Sequence, residues 1–363
     1  MAEVAGKFLP LRELTNFTAD IFEKLGVPRK DAEITAENLI SADRRGIASH
    51  GLARLARYVD GIKEGVIKAN AKMKIINETP TTILVSGEDG LGQPVSHYTM
   101  EKVIEKAKKN GTAFASVKDS NHFGIAGYYA IMALQHNLIG ISMTNSAPLV
   151  VPTFGCDMII GTNPIAVAVP TKKHRPWVLD MATSTVPRGK LEVYARRDKK
   201  MPLMWATDEH GIPNEDPKLV LDNLINRRGG GLLPLGGGEE LTGGHKGYGL
   251  SMMIDIFCGV LSGGSFGLEV YGHGKDKPAD VCHFFGAIDP SAFTPLDEFK
   301  QKMDDSIDQL KNSPKAKGQE KIYYAGEKEW DFEEKYKDNV EIEAKVIDGM
   351  KKIAEGLGIK FPF

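Results

Sequence analysis

The spacing of apolar residues changes period twice along this chain, and that change limits the fold more than any composition figure. In the opening segment, Leu11, Leu14, Thr18, Ile21, Phe22 and Leu25 recur at helical spacing until Gly26 and Pro28 end the run. Ala32, Ala36, Leu39 and Ile40 mark a second helix over about 31–42. A third is expected after Ser49, whose hydroxyl suits an N-cap, carrying Leu52, Leu55, Ala56, Val59 and Ile62 as far as Gly65. From about residue 74 short β-branched runs take over, at 82–85, 113–117 and 139–143, alternating with helical patterns over 95–107 and 124–134. Ile165, Val167 and Val169 alternate with Ala166 and Ala168, as in a strand buried on both faces. Trp177-Val178-Leu179 is its expected hairpin partner across Lys172-Lys173-His174-Arg175. Two glycine triplets, 229–231 and 236–238, bracket Leu232-Leu233-Pro234-Leu235 in either a flexible linker or a backbone-lined binding loop, composition favouring the linker. A long apolar helix is expected over 247–261, and charged helices over 295–310 and 340–357.

Size adds little constraint. A chain of 363 residues has room for two domains and buries a sizeable core without disulfide or metal staples. The net charge of −2 gives no broad electrostatic reason to expect nucleic acid or an acidic membrane as partner. Three cysteines, Cys156, Cys258 and Cys282, with no CxxC spacing, fit free thiols in a reducing compartment, each expected to be small and buried. The first seven residues lack the apolar run of a secretory signal. The most apolar stretch, 250–261, is interrupted by Asp255 and falls short of the ~20 residues that cross a bilayer. The expectation is a soluble, cytoplasmic protein.

The common nucleotide and metal signatures are absent. Gly90-Leu91-Gly92 lacks the third glycine of a dinucleotide fingerprint because Val95 stands there, and there is no phosphate-binding GxxxxGK[ST], HExxH or paired CxxC. Three constellations remain. In Ser49-His50-Gly51-Leu52-Ala53-Arg54, with Arg57 and Tyr58 following, a helix starting at Ser49 sets His50, Arg54 and Tyr58 four apart on one face. Backbone N–H groups at that start, with a guanidinium one turn on, suit a carboxylate, although a capped helix with a solvated basic stripe has the same spacing. Asp119-Ser120-Asn121-His122-Phe123-Gly124 lies between a strand and a helix, where an imidazole can exchange a proton with a substrate hydroxyl. A loop histidine is also a common structural residue. His97, His136, His174, His210 and His273 are read as structural or solvated. The third constellation is dispersed: Gly161-Thr162-Asn163-Pro164, Asp180-Met181-Ala182-Thr183-Ser184 and Gly243-Gly244-His245-Lys246-Gly247. Glycines and short polar residues at strand ends allow close approach to a ligand, and Lys246 at a helix start suits a pyrophosphate, but ordinary turn chemistry explains each piece as well.

Taken together, the strings SHGLARLARY, DSNHFGIAGYYA, MTNSAP, GTNPIAVAVP, DMATSTVPRGKLEVYARRDKKMP, LLPLGG and GGHKGYGLSMMIDI resemble the malate/L-lactate dehydrogenase family of the non-Rossmann type, in unchanged order over nearly the whole chain. Val281-Cys282-His283-Phe284-Phe285 and Ala325-Gly326-Glu327-Lys328-Glu329 extend the likeness toward the end. The chain departs from the pattern at Ala325, where proline is common, and at Met204, where glycine is common. The resemblance implies an α/β (α+β) fold. Its dinucleotide-binding unit, over 74–244, lies on a large, mostly antiparallel mixed sheet, and a helical unit is built from both chain ends, 1–73 with 245–363. It also implies a homodimer with the active site near the subunit contact.

For the site, the resemblance makes His122 the proton acceptor and sets His50 and Arg54 on the substrate carboxylate. Ser49, Tyr58, Asn145 and Ser146 line the substrate pocket. Cofactor contacts fall to Thr162, Asn163, Asp180, Met181, Ala182, Thr183, Ser184, His245, Lys246, Gly326, Glu327 and Lys328. No metal is expected. The implied reaction is nicotinamide-dependent oxidation of a 2-hydroxyacid, with malate and NAD as first choices and NADP as the alternative cofactor. L-Lactate, sulfolactate, ureidoglycolate and cyclic imines are alternative substrates within the family. Malate requires a second cationic or amide partner for its distal carboxylate, for which Arg57 and Lys118 are candidates. From another class, a catalytically silent dinucleotide-binding sensor would tolerate changes at His50, Arg54 and His122, yet all three are present. A metal-dependent hydrolase would need clustered His and carboxylate ligands, which the spacing does not supply.

Overall fold

The two chain ends are stitched together by a two-stranded antiparallel ribbon, and this is what makes one helical unit out of distant segments. The computed structural model describes residues 6–272 and 277–363, so the N-terminal five residues and His273 lie outside the described residues. The chain opens with β1 (Gly6–Pro10), α1 (Leu11–Lys24) and α2 (Arg29–Arg44). Two short 3₁₀ turns, Ala48–His50 and Leu52–Arg54, then lead into α3 (Leu55–Lys63). The third helix therefore begins six residues later than the sequence suggests, and Ser49 does not cap it. The reason is local: the Leu52 N–H donates to the buried carboxylate of Asp43 at 2.8 Å, which holds 48–54 in tight turns.

The middle of the chain supplies β2 (Lys74–Glu78), β3 (Thr82–Ser86), α4 (Gly92–Asn110), β4 (Thr112–Ser120), α5 (Ala126–Met132), β5 (Ile139–Thr144), β6 (Ile165–Val169) and β7 (Trp177–Met181). An excursion follows, made of α6 (Arg188–Arg196), β8 (Ala206–Thr207), α7 (Pro217–Asn226) and β9 (Gly231–Leu232). It folds around its own small core of Val150, Met158, Leu191, Val220 and Leu232. The remainder comprises α8 (Gly244–Asp255), continued by a π-helical stretch Ile256–Val260, then β10 (Val281–Ile288), α9 (Leu296–Asn312), α10 (Glu327–Lys335), β11 (Asn339–Glu343) and α11 (Ala344–Leu357).

The main sheet has seven strands in the order β2-β3-β4-β10-β5-β6-β7. Only β3 and β4 run parallel, joined by the α4 crossover; every other neighbouring pair is antiparallel. The mostly antiparallel mixed sheet is thus as expected, and the β6–β7 hairpin pairs Ile165 with Met181 and Val169 with Trp177. The division at 245 does not follow the sheet. β10 comes from the segment assigned to the helical unit, yet it is inserted between β4 and β5 and is buried along nearly its whole length. Apart from His283, whose ring nitrogens are hydrogen-bonded to Thr144 and Ser120, its residues are apolar or small, as a strand covered on both faces requires.

One face of the sheet packs on α4 and α5 through Val103, Ala107, Phe123, Tyr129 and Phe285. The other packs on α8 and its π continuation, where Ile254 and Cys258 meet Met143, Cys282 and Phe284. The helical unit has a separate core in which Leu14, Phe22, Leu39, Leu55 and Tyr58 meet Val340, Ile347 and Met350. Two further expectations change. Residues 229–238 are no flexible linker, because Gly231–Leu232 forms a strand with Ala206–Thr207 and Leu232 and Leu233 are buried. The start of the last predicted helix, Val340 to Glu343, is strand β11, paired with β1 from Gly6↔Glu343 to Pro10↔Asn339. Cys258 and Cys282 are buried free thiols, but Cys156 is exposed. Among the described residues, no helix is long and apolar enough to cross a membrane.

Candidate active site

His122 sits just past the end of β4, at the seam between the sheet and the helical unit. Its imidazole meets residues from the other end of the first hundred positions. The Tyr58 hydroxyl, from α3, lies 2.6 Å from His122 Nδ1. The His50 ring stacks on the His122 ring, with centroids 5.6 Å apart and planes inclined by 20°. Ser49 Oγ lies 3.0 Å from His50 Nδ1, and Arg54 Nε donates to the Ser49 carbonyl at 2.7 Å. The seryl, two imidazoles and a guanidinium, separated by some seventy residues in sequence, therefore form one cluster.

The turn geometry corrects how these groups meet. The spacing of four was read as one face of a helix, but His50 and Arg54 lie in successive 3₁₀ turns and only Tyr58 is α-helical. The backbone donors once expected to hold an anion are committed internally: His50 N to Ile47, Gly51 N to Ala48, Leu52 N to Asp43 and Arg54 N to Gly51. Anion binding here falls to side chains. Tyr58 is fully buried behind His122, so it faces the imidazole rather than an open pocket.

Electrostatics keep both imidazoles neutral. Burial pushes His122 well below the ordinary histidine range, and the guanidiniums of Arg57 and Arg54 and the His50 ring push the same way. His50 is lowered to about 4, by burial first and then by Arg54 and Arg57. Burial raises the Tyr58 phenol, which therefore stays protonated. Among the described residues neither Arg54 nor Arg57 makes an ion pair; Arg57 instead donates to the Tyr271 hydroxyl and lies over its ring at 5.3 Å. An anion entering this cluster would relieve uncompensated positive charge. Asp43 beneath it is lifted to about 7 by burial, even though the Leu52 N–H pulls it back.

Several residues that hold the cluster are given no part in the site by the sequence. A Cβ on Gly92 would lie 2.2 Å from the Asn121 carbonyl oxygen and 2.6 Å from that of His122, so only glycine lets α4 start against the His122 loop. That glycine belonged to the incomplete fingerprint at 90–92, and its signal is close packing rather than phosphate binding. Gly124 has φ +83°, and a Cβ there would meet Asn38 Oδ1 at 1.8 Å. His283, in the late VCHFF string, is fully buried and lies 2.8 Å from Thr144 Oγ1 and 2.9 Å from Ser120 Oγ. Its ring stacks on Phe123 at 4.7 Å, tying the end of β4 to the end of β5.

The remaining expected residues separate into two groups. Asn145 has its amide engaged by Asp255, Ser265 and the Cys282 N–H, so it is a structural joint between β5 and the segment after α8. Asn163 bonds the Ser146 N–H and the Ser251 carbonyl, Thr183 bonds the carbonyls of Thr162 and Asn163, and Ser184 bonds that of Val186. These hold the strand ends in place. Ser146, Thr162, Met181 and Ala182 remain partly exposed along the ends of β5, β6 and β7. Asp180 accepts the Gly127 N–H at 2.8 Å, and burial raises its carboxyl to about 6. Gly326 packs on Val178 of β7, Glu327 is paired with Lys311 and Lys321, and Lys328 lies over Tyr323. His245 and Lys246 are exposed in the first turn of α8, and Lys246 makes no ion pair among the described residues.

This donor set fits a dinucleotide. A helix N-terminus with an unpaired lysine faces outward beside the strand ends, because Ser251 of the same helix donates to the Gly161 carbonyl at 3.1 Å. Among the described residues no group of three or more His, Cys, Asp or Glu side chains is arranged to hold a metal ion.

A family model described as malate/L-lactate dehydrogenase matches residues 9–351. The chain belongs to the malate/L-lactate dehydrogenase family. A protein named malate dehydrogenase from Pyrococcus abyssi is 49% identical over 97% of this chain and 95% of its own length. A malate/(S)-sulfolactate dehydrogenase from Methanothermus fervidus is 38% identical over 94% of this chain and 95% of its own. The crystal structure of malate dehydrogenase from Entamoeba histolytica superposes with a TM-score of 0.95 at 37% identity, covering 99% of this chain and all of that one. The family is one of oxidoreductases acting on CH–OH groups with a nicotinamide dinucleotide.

Proposed function

We propose that the protein interconverts malate and oxaloacetate, with NAD as the preferred dinucleotide. The observation that carries this reading is the meeting of His122 with His50 and Arg54 across one seam. Arg54 and His50 hold the C1 carboxylate, and that grip fixes the hydroxyl of C2 against His122. The bound dinucleotide supplies the hydride acceptor in oxidation and the hydride donor in reduction.

The proton is handled by the protein. Nδ1 of His122 is taken up by the Tyr58 hydroxyl and, at 3.3 Å, by the Gly124 N–H, which leaves Nε2 for the substrate. In the tautomer with Nδ1 protonated, Nδ1–H donates to the Tyr58 oxygen and the free Nε2 accepts the hydroxyl proton. In the opposite direction the imidazolium, its Nδ1–H still donated to the Tyr58 oxygen, gives its Nε2 proton to the new alkoxide and returns to the same neutral tautomer. Neutrality imposed by burial and the arginines keeps His122 able to accept a proton at working pH.

We also propose a homodimer. Leu250, Met252, Ile256, Phe257, Val260 and Leu261 lie exposed on one segment, an apolar surface that a lone soluble subunit rarely leaves in water. Light scattering of the purified protein at twice the 39.7 kDa chain mass supports this; a monomer at micromolar concentration removes it. The three free thiols suit a reducing compartment, and the cytoplasm is the location we propose.

The test of function is an assay of oxaloacetate reduction with NADH and NADPH, in the native protein and in His122→Ala. Loss of a positioned acid–base group lowers kcat by on the order of 10²–10⁴, with dinucleotide affinity held nearly constant. Retention of more than half the activity in the variant removes His122 from the role.

A further inference from the structure

The cluster contains one more cation than a single carboxylate needs. Arg54 is the residue that precedes α3 and Arg57 lies in its first turn, three residues on, close enough for each charge to oppose the other. Arg57 acts on the His122 and His50 imidazoles as a nearby positive charge, and it also opposes the charge on Arg54. Like charges gathered around buried neutral rings destabilise the empty site unless something anionic enters. Arg54 has its Nε on the Ser49 carbonyl, and one carboxylate suffices for its remaining donors. Arg57 is left over.

Its placement is also fixed from a distant part of the chain. Tyr271 accepts a hydrogen bond from Arg57 Nη2 and lays its ring under the guanidinium. Tyr271 itself has φ +57°, an uncommon left-handed conformation for a non-glycine residue, and its N–H is tied to the Ala279 carbonyl at 3.0 Å. Val270 beside it is fully buried with Ala279 and Val281. The brace is thus rooted in the segment leading to β10, not in a free loop tip. Only one of the five guanidinium N–H groups is used by Tyr271, which leaves donors for a ligand. Lys118, the other sequence candidate, sits on β4 with its Cβ only 2.8 Å from where a Cβ on Gly264 would stand, so its stem is packed against the π-helical segment's end.

We infer that Arg57, braced by Tyr271, is the second anion-binding arm of the site and holds the distal anionic group of the substrate. The inference rests on the reading of His122 and Arg54 given above and adds the distal half of the substrate. It accords with the chemistry shared by malate and sulfolactate, for which the relatives are named: a carboxylate in one and a sulfonate in the other occupy the same distal position. A monocarboxylate such as pyruvate would leave Arg57 unpaired.

The test compares oxaloacetate with pyruvate as substrates of the full-length protein and of Arg57→Gln, with Arg57→Lys and Tyr271→Phe as companions. In Arg57→Gln the ratio of kcat/KM for oxaloacetate over pyruvate falls by about 30-fold or more, mostly through KM of oxaloacetate, as expected when one partner of a charge pair is removed. Arg57→Lys restores part of the ratio, because the charge remains and the fork geometry is lost. Tyr271→Phe lowers the ratio less, about 3- to 10-fold, by freeing the guanidinium. A second readout does not depend on the distal group. Arg57 is among the positive neighbours of His122, together with His50, Arg54 and His283, and Tyr58 faces it as a neutral phenol. Reduction needs the protonated imidazole, so removing Arg57, which raises the His122 pKa, moves the alkaline limb of kcat/KM for either 2-oxoacid to higher pH. An unchanged ratio in Arg57→Gln, or a wild-type protein that prefers pyruvate, overturns the inference while leaving the dehydrogenase reading intact. A wild-type protein that turns over neither acid overturns both.

Discussion

Replacing Tyr58 by Phe tests the proton-handling geometry more sharply than deleting His122, because it removes one oxygen and leaves the packing in place. Tyr58 is completely buried between α3 and the catalytic loop, and its ring belongs to the helical core. Phenylalanine fills the same space. What disappears is the hydrogen bond to His122 Nδ1 at 2.6 Å, with only the Gly124 N–H at 3.3 Å remaining beside that nitrogen. As His122 takes the substrate proton it becomes an imidazolium, and its Nδ1–H then has no acceptor, since the Gly124 amide can only donate. A hydrogen bond to a charged group is worth about 1.5–3 kcal/mol. At 1.36 kcal/mol per tenfold in rate, its loss in the transition state lowers kcat roughly 10- to 150-fold. The ground state forms the weaker neutral bond, so the loss falls on kcat more than on KM. Steady-state kinetics with malate and oxaloacetate, beside the melting temperature of both proteins, measure the effect. A Tyr58→Phe enzyme within twofold of wild type refutes the assignment, as does a loss that appears wholly in KM.

Gly92→Ala places a methyl 2.2 Å from the Asn121 carbonyl oxygen, and backbone cannot yield as a side chain can; overpacking of this kind costs about 1–3 kcal/mol. Both melting temperature and kcat should fall, and an unchanged kcat would show that the start of α4 does not position the His122 loop. For the wild-type protein, depression of the His122 pKa keeps the imidazole in its proton-accepting form to lower pH than an ordinary histidine. The kcat/KM profile for malate oxidation should therefore stay level as pH falls through 6.5, whereas an acid limb centred at or above 6.5 contradicts the neutral, buried imidazole.

The local elements were legible because their causes are local. Period-3.6 spacing placed α1 and α2, β-branched runs placed β3 to β5, and alternation with a basic turn placed the β6–β7 hairpin. The family was legible too, since SHG, NHFG and their neighbours carry distinctive side chains in a fixed order. Failures of local reading have physical reasons. Ser49 looks like a helix cap, but the buried carboxylate of Asp43 takes the Leu52 N–H and delays α3. Val340 to Glu343 looks helical, but pairing with β1 outweighs that pattern and closes the chain ends into one unit.

The amino-acid order by itself determined which groups exist to do chemistry: two imidazoles, two arginines and a phenol within reach of short turns. Only the tertiary structure decided how they meet. The insertion of β10 between β4 and β5 brings His283 beneath Phe123, and the seam between sheet and helices sets Tyr58 behind His122 and Tyr271 under Arg57. Each of these depends on contacts between residues more than sixty positions apart. Side-chain spacing reports the neighbours along one element, whereas burial, desolvation and hydrogen-bond partnership are set by which elements come to lie against it.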